Sequence, residues 1–337
     1  MAKSTSPAKK YVNEEISRLS GMNNHNSTLS SVSRNLNQLA LQGKLAPVFH
    51  REAEVEAIMK MMLRRTKPNV LLTGPAGCGK TAIAEALAIH IANARVAWSA
   101  EDAKAEREYE KATEKWNNTQ HEMDEETGEI LDPLPVRREV PKPPLCDAII
   151  YDFSLNALLS GSRYRGDFEE KLQKVMDECK RNSNIILFID EIHQMSEIGK
   201  AEGATGMGQI LKPALARAEI RVIGATTTEE SALLKKDKAL ARRFSEVEVL
   251  PLVGSKAIST ADSILADYEK FHSVTVNGIT AEQILELTNY FVGGVFPNSF
   301  IDVIDEAMSG ARFEGKTAIS PKEIKNTISR MVGKIII

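Results

Sequence analysis

Short apolar runs punctuate the first two thirds of the chain. Val70-Leu71-Leu72-Thr73, Ala148-Ile149-Ile150-Tyr151, Ile185-Ile186-Leu187-Phe188-Ile189 and Val222-Ile223-Gly224-Ala225 carry almost no polar residue. A strand with one face in water alternates, whereas a run without alternation has both faces covered. The stretches between these runs repeat at helical spacing. Val55, Ile58, Met61 and Met62 share one face over 52–65, and Ile83, Leu87 and Ile91 share another. Strands alternating with helices predict a layered α/β domain built on a parallel sheet. After Pro251 the pattern turns helical, with amphipathic stretches at 257–270, 280–292, 298–312 and 321–332, Gly or Pro lying near their boundaries. The expected organisation is a large α/β domain over 31–250 and a small all-α domain over 251–337.

Two stretches fit neither domain. Residues 1–30 are rich in Ser, Asn and Lys and read as a flexible N-terminal tail, with a short helix near Val12–Leu19. Residues 96–146 read as an insertion between the first two strands: a charged helix from Ser99 to Met123, a turn, and a proline-rich return through Pro133, Pro135, Pro141, Pro143 and Pro144. Both tryptophans, Trp98 and Trp116, lie there. The plain expectation is a solvated excursion. The functional expectation is an arm that docks a specific partner, with Trp116 as its anchor.

Composition narrows the function classes. The 337 residues carry 43 Lys and Arg against 46 Asp and Glu, a net charge of −3, which argues against a generally basic nucleic-acid binder. No apolar run approaches the roughly 18 residues of a membrane span, and MAKSTSPAKK lacks a signal-peptide core. Cys78, Cys146 and Cys179 are scattered and odd in number, so the expected compartment is the cytoplasm with reduced thiols. The six histidines form no ligand cluster.

The decisive motif is Gly74-Pro75-Ala76-Gly77-Cys78-Gly79-Lys80-Thr81, which fits G-x-x-x-x-G-K-[ST] between a strand and a helix. Its glycines let backbone N–H groups turn inward around phosphate oxygens at the positive end of a helix. Lys80 supplies a mobile charge for the β- and γ-phosphates of ATP, and the Thr81 hydroxyl is placed to ligate Mg2+. The strand 185–189 ends in Asp190-Glu191: Asp190 can hold Mg2+ through water, and Glu191 can activate the attacking water.

These residues, with the phrases FIDEIHQM, ILKPALARAEIRVIGATT, KDKALARRF, GKLAPVFHREAEVEAI and FIDVIDEA in order, resemble the first ATPase module of Clp-type AAA+ disaggregases and unfoldases over about 33–95 and 147–337. The resemblance implies a three-layer parallel-sheet domain followed by a helical lid. It implies that Pro47, Val48 and Phe49 lie against adenine, that Thr227 senses the γ-phosphate or the lytic water, and that Arg242 and Arg243 are fingers reaching a neighbouring subunit's site. It implies that Arg163, Tyr164, Arg165 and Gly166 form a pore loop gripping a polypeptide, with a second loop over 199–208. The implied whole is an ATP- and Mg2+-dependent ring, a hexamer, that unfolds, translocates or remodels a protein substrate.

The chain departs from that pattern in places. His50 stands where Clp modules have glycine, and Ser299 stands where they have a lid lysine. No second ATPase module, middle coiled coil or peptidase-docking loop is recognised. Two other readings therefore stay open: a nucleic-acid-associated AAA+ motor or loader, for which Arg163 and Arg165 speak, and a nucleotide-binding adaptor of another AAA+ ring.

Overall fold

The computed structural model describes residues 7–22, 27–121, 130, 132–160, 165–196, 211, 213–215 and 217–335. In chain order its elements are α1 (Pro7–Met22), α2 (Thr28–Ser31), β1 (Ser33–Asn35), α3 (Leu36–Leu41), α4 (Glu52–Met62), β2 (Asn69–Thr73) and α5 (Lys80–Asn117). There follow β3 (Ile149–Phe153), α6 (Leu155–Ser160), α7 (Arg165–Arg181), β4 (Ile185–Ile189), a 3-10 turn at Ile192–Ser196 and β5 (Arg221–Thr226). Then come α8 (Thr228–Lys236), α9 (Lys238–Ala241) and β6 (Phe244–Glu248). The small domain holds α10 (Ser255–His272), β7 (Thr275–Val276), α11 (Ala281–Leu287), a π-helical turn at Thr288–Val292, α12 (Asn298–Phe313), β8 (Ala318–Ile319) and α13 (Pro321–Val332).

The sheet runs β1-β3-β4-β5-β2-β6, parallel throughout except for the antiparallel edge strand β1. The four apolar runs are its four central strands. Their side chains alternate between two cores. Ile149, Tyr151, Leu187, Ile189 and Val222 enter one, while Val70, Leu72, Ile150, Ile186, Phe188 and Ile223 enter the other. A third core, around Phe300, Ile304, Ile284 and Ile324, belongs to the small domain. All four expected small-domain helices are present, the second ending in the π turn. The edge strands β1 (SRN) and β6 (FSEVE) escaped the sequence pattern because each is polar or alternating and needs one covered face only.

The flexible tail expected over residues 1–30 is corrected by α1. Tyr11, Glu15 and Leu19 recur at i, i+4 and i+8 and are buried against α5 and α3. Arg107 donates to the Tyr11 hydroxyl at 2.7 Å, and Arg95 lies 3.6 Å from Glu15. Helix α2 is pinned in turn: Glu178 accepts from the Ser27 hydroxyl and, at 2.8 Å, from Thr28 N–H.

The insertion is also built differently from the expectation. Its helix does not start afresh at Ser99, because α5 continues unbroken from Lys80 to Asn117 over 38 residues. The return then runs back along it. Val140 O accepts from Trp98 Nε1 at 3.2 Å, Arg137 pairs with Asp102 and Glu106, and Arg138 pairs with Glu101. Near the tip the Trp116 ring stacks on His121 at 4.1 Å. Residues 122–129 and 131, where a turn was expected, lie outside the described residues.

Candidate nucleotide site

The loop between β2 and α5 is shaped by what surrounds it. A Cβ at Gly74 would stand 2.2 Å from Val249 O, so only glycine lets the loop leave β2 beside the chain following β6. Gly77 is left-handed, with φ 78°, and a Cβ there would stand 2.8 Å from Asn298 Cβ in the small domain. Lys80 opens α5 and turns its ammonium back over the loop, donating to Gly74 O and Pro75 O at 2.8 Å each. Thr81, the next residue, donates to Asp190 Oδ2 at 2.8 Å. The two motifs, 109 residues apart in sequence, thus meet side chain to side chain. Asp190 and Glu191 stand exposed just past the fully buried β4, and Glu191 is left-handed at φ 48°. Gly224 of β5 makes room for this turn, since a Cβ there would meet Ile192 at 2.6 Å.

A cavity of about 1040 Å³ opens in front of the loop. Ala76, Gly77, Gly79, Lys80, Thr81, Asp190, Glu191 and Thr227 line it, as the sequence expected. Gln194, Glu230, Arg34 and Asn298 line it too, and sequence reasoning missed all four. Nothing in their local pattern marks them: Arg34 comes from the edge strand β1, Gln194 from the 3-10 turn, Glu230 from the first turn of α8 and Asn298 from the small domain. Thr227 caps α8: its hydroxyl donates to Glu230 at 2.8 Å and accepts from Glu230 N–H at 3.2 Å. That bond from Thr227, with His193 and Lys80 nearby, holds the Glu230 carboxyl below the usual range. His193 is buried with Nδ1 3.1 Å from Thr226 Oγ1 and 3.3 Å from Glu230.

A second, apolar cleft lies behind the loop, between the two domains. Pro47, Val48 and Phe49 form one wall with Cys78 and Gly79, and Ile264, Tyr268 and Ile301 of the small domain form the other. This suits a flat base whose phosphates point to Lys80. The Cys78 thiol is fully buried here, and burial pushes its pKa up. Ser299, the lid-lysine position, does not face the phosphate cavity. It is buried and its hydroxyl has no hydrogen-bond partner among the described residues, while Asn298 beside it reaches the loop.

The remaining expected residues lie elsewhere. Arg242 and Arg243 precede β6, whose Phe244 pairs with Asn69 at the start of β2. The phosphate loop leaves the other end of β2, about 13 Å away at ~3.3 Å per residue. Arg243 O is held there by the Asn69 side chain at 3.4 Å. Arg163, Tyr164 and the 199–208 loop lie outside the described residues, and Arg165 and Gly166 begin α7.

The comparisons agree with this geometry. The family "ATPase family associated with various cellular activities (AAA)" matches residues 70–252, over half of the chain. The chain belongs to the AAA ATPase family. The "AAA lid domain" matches residues 254–335, so the small domain is an AAA lid. This AAA ATPase is similar in sequence to Clp proteins. It is 39% identical over 293 residues to the chaperone protein ClpB of Aquifex aeolicus, covering 86% of this chain and 24% of that protein. It is 35% identical over 311 residues to the ClpC ATP-binding subunit of the Clp protease of Staphylococcus aureus, covering 91% of this chain and 32% of that one. Among solved structures, the Saccharomyces cerevisiae Hsp104–ADP complex superposes with a TM-score of 0.70 at 29% identity, covering 91% of this chain and 46% of that chain. An Hsp104–casein complex gives 0.67 at 27%, covering 91% and 45%. The AAA ATPase therefore spans a quarter to a third of the length of these Clp relatives. Among its described residues no helix is long and apolar enough to cross a membrane.

Proposed function

We propose that this chain binds ATP with Mg2+ at the domain boundary, hydrolyses it within a ring of copies, expected to be a hexamer in the cytoplasm, and uses the cycle to unfold, translocate or remodel a protein substrate. The observation that carries the reading is a complete phosphate cradle with an arginine pair at the opposite end of the same sheet. Arg242 and Arg243 lie a strand length from the end of β2 that leads to their own Lys80, which supports a role at a neighbour's nucleotide.

The hard oxygens of Thr81 and Asp190, hydrogen-bonded at the edge of the cradle, fit Mg2+. When bound there, Mg2+ would neutralise phosphate charge. Lys80 would leave its own loop carbonyls for the phosphate oxygens. Glu191, exposed at the cavity, would orient and deprotonate the attacking water. Thr227 would sense the γ-phosphate by exchanging its Glu230 bond. A finger from the neighbour would complete the charge of the transition state. Arg163, Tyr164, Arg165 and Gly166 would grip the substrate in the channel through the rigid Tyr164 ring.

Turnover per chain should rise steeply with protein concentration and should require Mg2+, while Lys80→Ala should bind no nucleotide. Constant turnover from dilute to concentrated protein would sink the ring reading. Tyr164→Ala should keep basal hydrolysis and lose substrate unfolding, measured with a fluorescent folded reporter.

A further inference from the structure

The residue after the base-binding segment is backbone-strained, and the one after that is a buried cation. His50 is left-handed at φ 57°, a conformation costly for a residue with a Cβ. Its Nε2 lies 2.7 Å from the Ser259 hydroxyl on α10, so it touches the lid. Arg51 is only 5% exposed and uses its planar fork on three separate pieces of the molecule. Nη2 donates to Cys78 O at 2.7 Å, and Nη1 donates to Leu250 O at 2.9 Å and to Glu54 at 2.7 Å. Cys78 belongs to the phosphate loop. Leu250 is the last residue before the lid begins.

Cys78 O is the back of the Cys78–Gly79 peptide. That peptide is trans, and across a trans peptide the C=O and N–H point in opposite directions. A guanidinium that pulls the carbonyl backward therefore turns Gly79 N–H forward. Gly79 lines the phosphate cavity, Arg51 lines only the base cleft behind it, and Gly79 N–H has no partner among the described residues. We infer that Arg51 is a positioning residue that aims Gly79 N–H at a nucleotide phosphate and ties that aim to the lid strand at Leu250. The inference rests on the nucleotide reading of the site. It gives the lid a route to the phosphates through large-domain backbone, in a chain whose lid-lysine position, Ser299, is turned into the core. Lysine does not replace the fork, because Arg51 reaches Leu250 O and Cys78 O with two separate, coplanar nitrogens and an ammonium has only one.

The test compares a ligand with phosphates against one without. Affinities of the full chain for fluorescent ADP and, by competition, for adenosine are measured in the parent, Arg51→Gln and Arg51→Lys. The expected result is at least a tenfold loss for ADP in both variants, the scale of a lost hydrogen bond to a charged group, with adenosine affinity kept within about twofold. Equal losses for ADP and adenosine would show that Arg51 merely holds the cleft together, and unchanged ADP binding would show that it aims nothing. Full rescue by lysine would also overturn the inference. Should Arg51→Gln fail to fold, Arg51→Lys alone decides by the same ratio. A parent that binds neither ligand would sink the nucleotide reading itself, and this inference with it.

Discussion

At the scale of single residues the site is a set of side chains committed to local tasks that ATP would interrupt. Lys80 is bound to its own loop and Thr227 to its own helix cap, so neither waits idle. Glu191 is the exception: it is exposed, its neighbour Gln194 donates to it, and among the described residues no ion pair holds it. Glu191→Gln keeps that contact's shape and removes the base. It should bind ATP with near-parental affinity while hydrolysis falls by roughly 10²–10⁴, a split read by equilibrium binding beside phosphate release. Cys179 lies in the core of the large domain, where burial pushes its thiol up to about 12. A thiol reagent should label it only as fast as the domain opens, so its rate should converge with that of Cys78 under denaturant.

At the scale of elements, the cap of α13 is the clearest test case. Ser320 and Glu323 form a capping box at its start. The Ser320 hydroxyl, its backbone N–H and Lys316 hold the Glu323 carboxyl down at about 2. A carboxyl held below its ordinary 4.5 stabilises the fold above that value and loses the effect as pH falls toward 2. Ser320→Ala should cost the lid about 1 kcal/mol at neutral pH, and the difference from the parent should shrink below about pH 4 in acid titrations of lid unfolding. The long arm divides likewise. Its base, up to Arg107, is held by α1 and by the return, whereas no residue of α5 beyond Ala105 is buried. Replacing residues 108–134 by a short Gly/Ser linker should leave the melting temperature nearly unchanged, and recovery of a specific partner from a pulldown should fall. Legibility followed the same division. Strands β2 to β5 were readable because two-sided burial demands unbroken apolar runs. The phosphate loop was readable because its chemistry fixes residue types at fixed spacing. Helix α1 was readable only in part, as a short helix at Val12–Leu19 within a flexible tail, since its buried stripe of Tyr11, Glu15 and Leu19 includes a charge that Arg18 and Arg95 make tolerable. Arg51 and Asn298 were not, because their meaning lies in carbonyls and glycines distant in sequence.

At the scale of the whole molecule, the proposed ring makes each site a shared property of two copies. Mixing separates the two halves. A copy with Lys80→Ala has a dead cradle but an intact Arg242; a copy with Arg242→Ala has the reverse. Each alone should be nearly inactive, Arg242→Ala by ~10³-fold. Mixed, some interfaces regain both parts, and phosphate release should rise toward a fixed fraction of the parent's. Mixtures no more active than the sum of their components would place both functions in one chain, against the geometry of β2 and β6.

Helix α5 begins at Lys80, the residue proposed to meet the phosphates, and runs out along the arm to Asn117. At 1.5 Å per residue its 38 residues make a rod of about 57 Å. No proline interrupts it, and its turns from Ile83 to Ala92 carry buried residues packed in the large domain. A rod of that length converts angle into distance: a tilt of ~5° at Lys80, too small to disturb the cradle, carries Asn117 through about 5 Å. On the proposed nucleotide reading, the arm would be the pointer of a gauge whose movement is the phosphate loop, and a partner at its tip would be handed a magnified copy of the nucleotide's state.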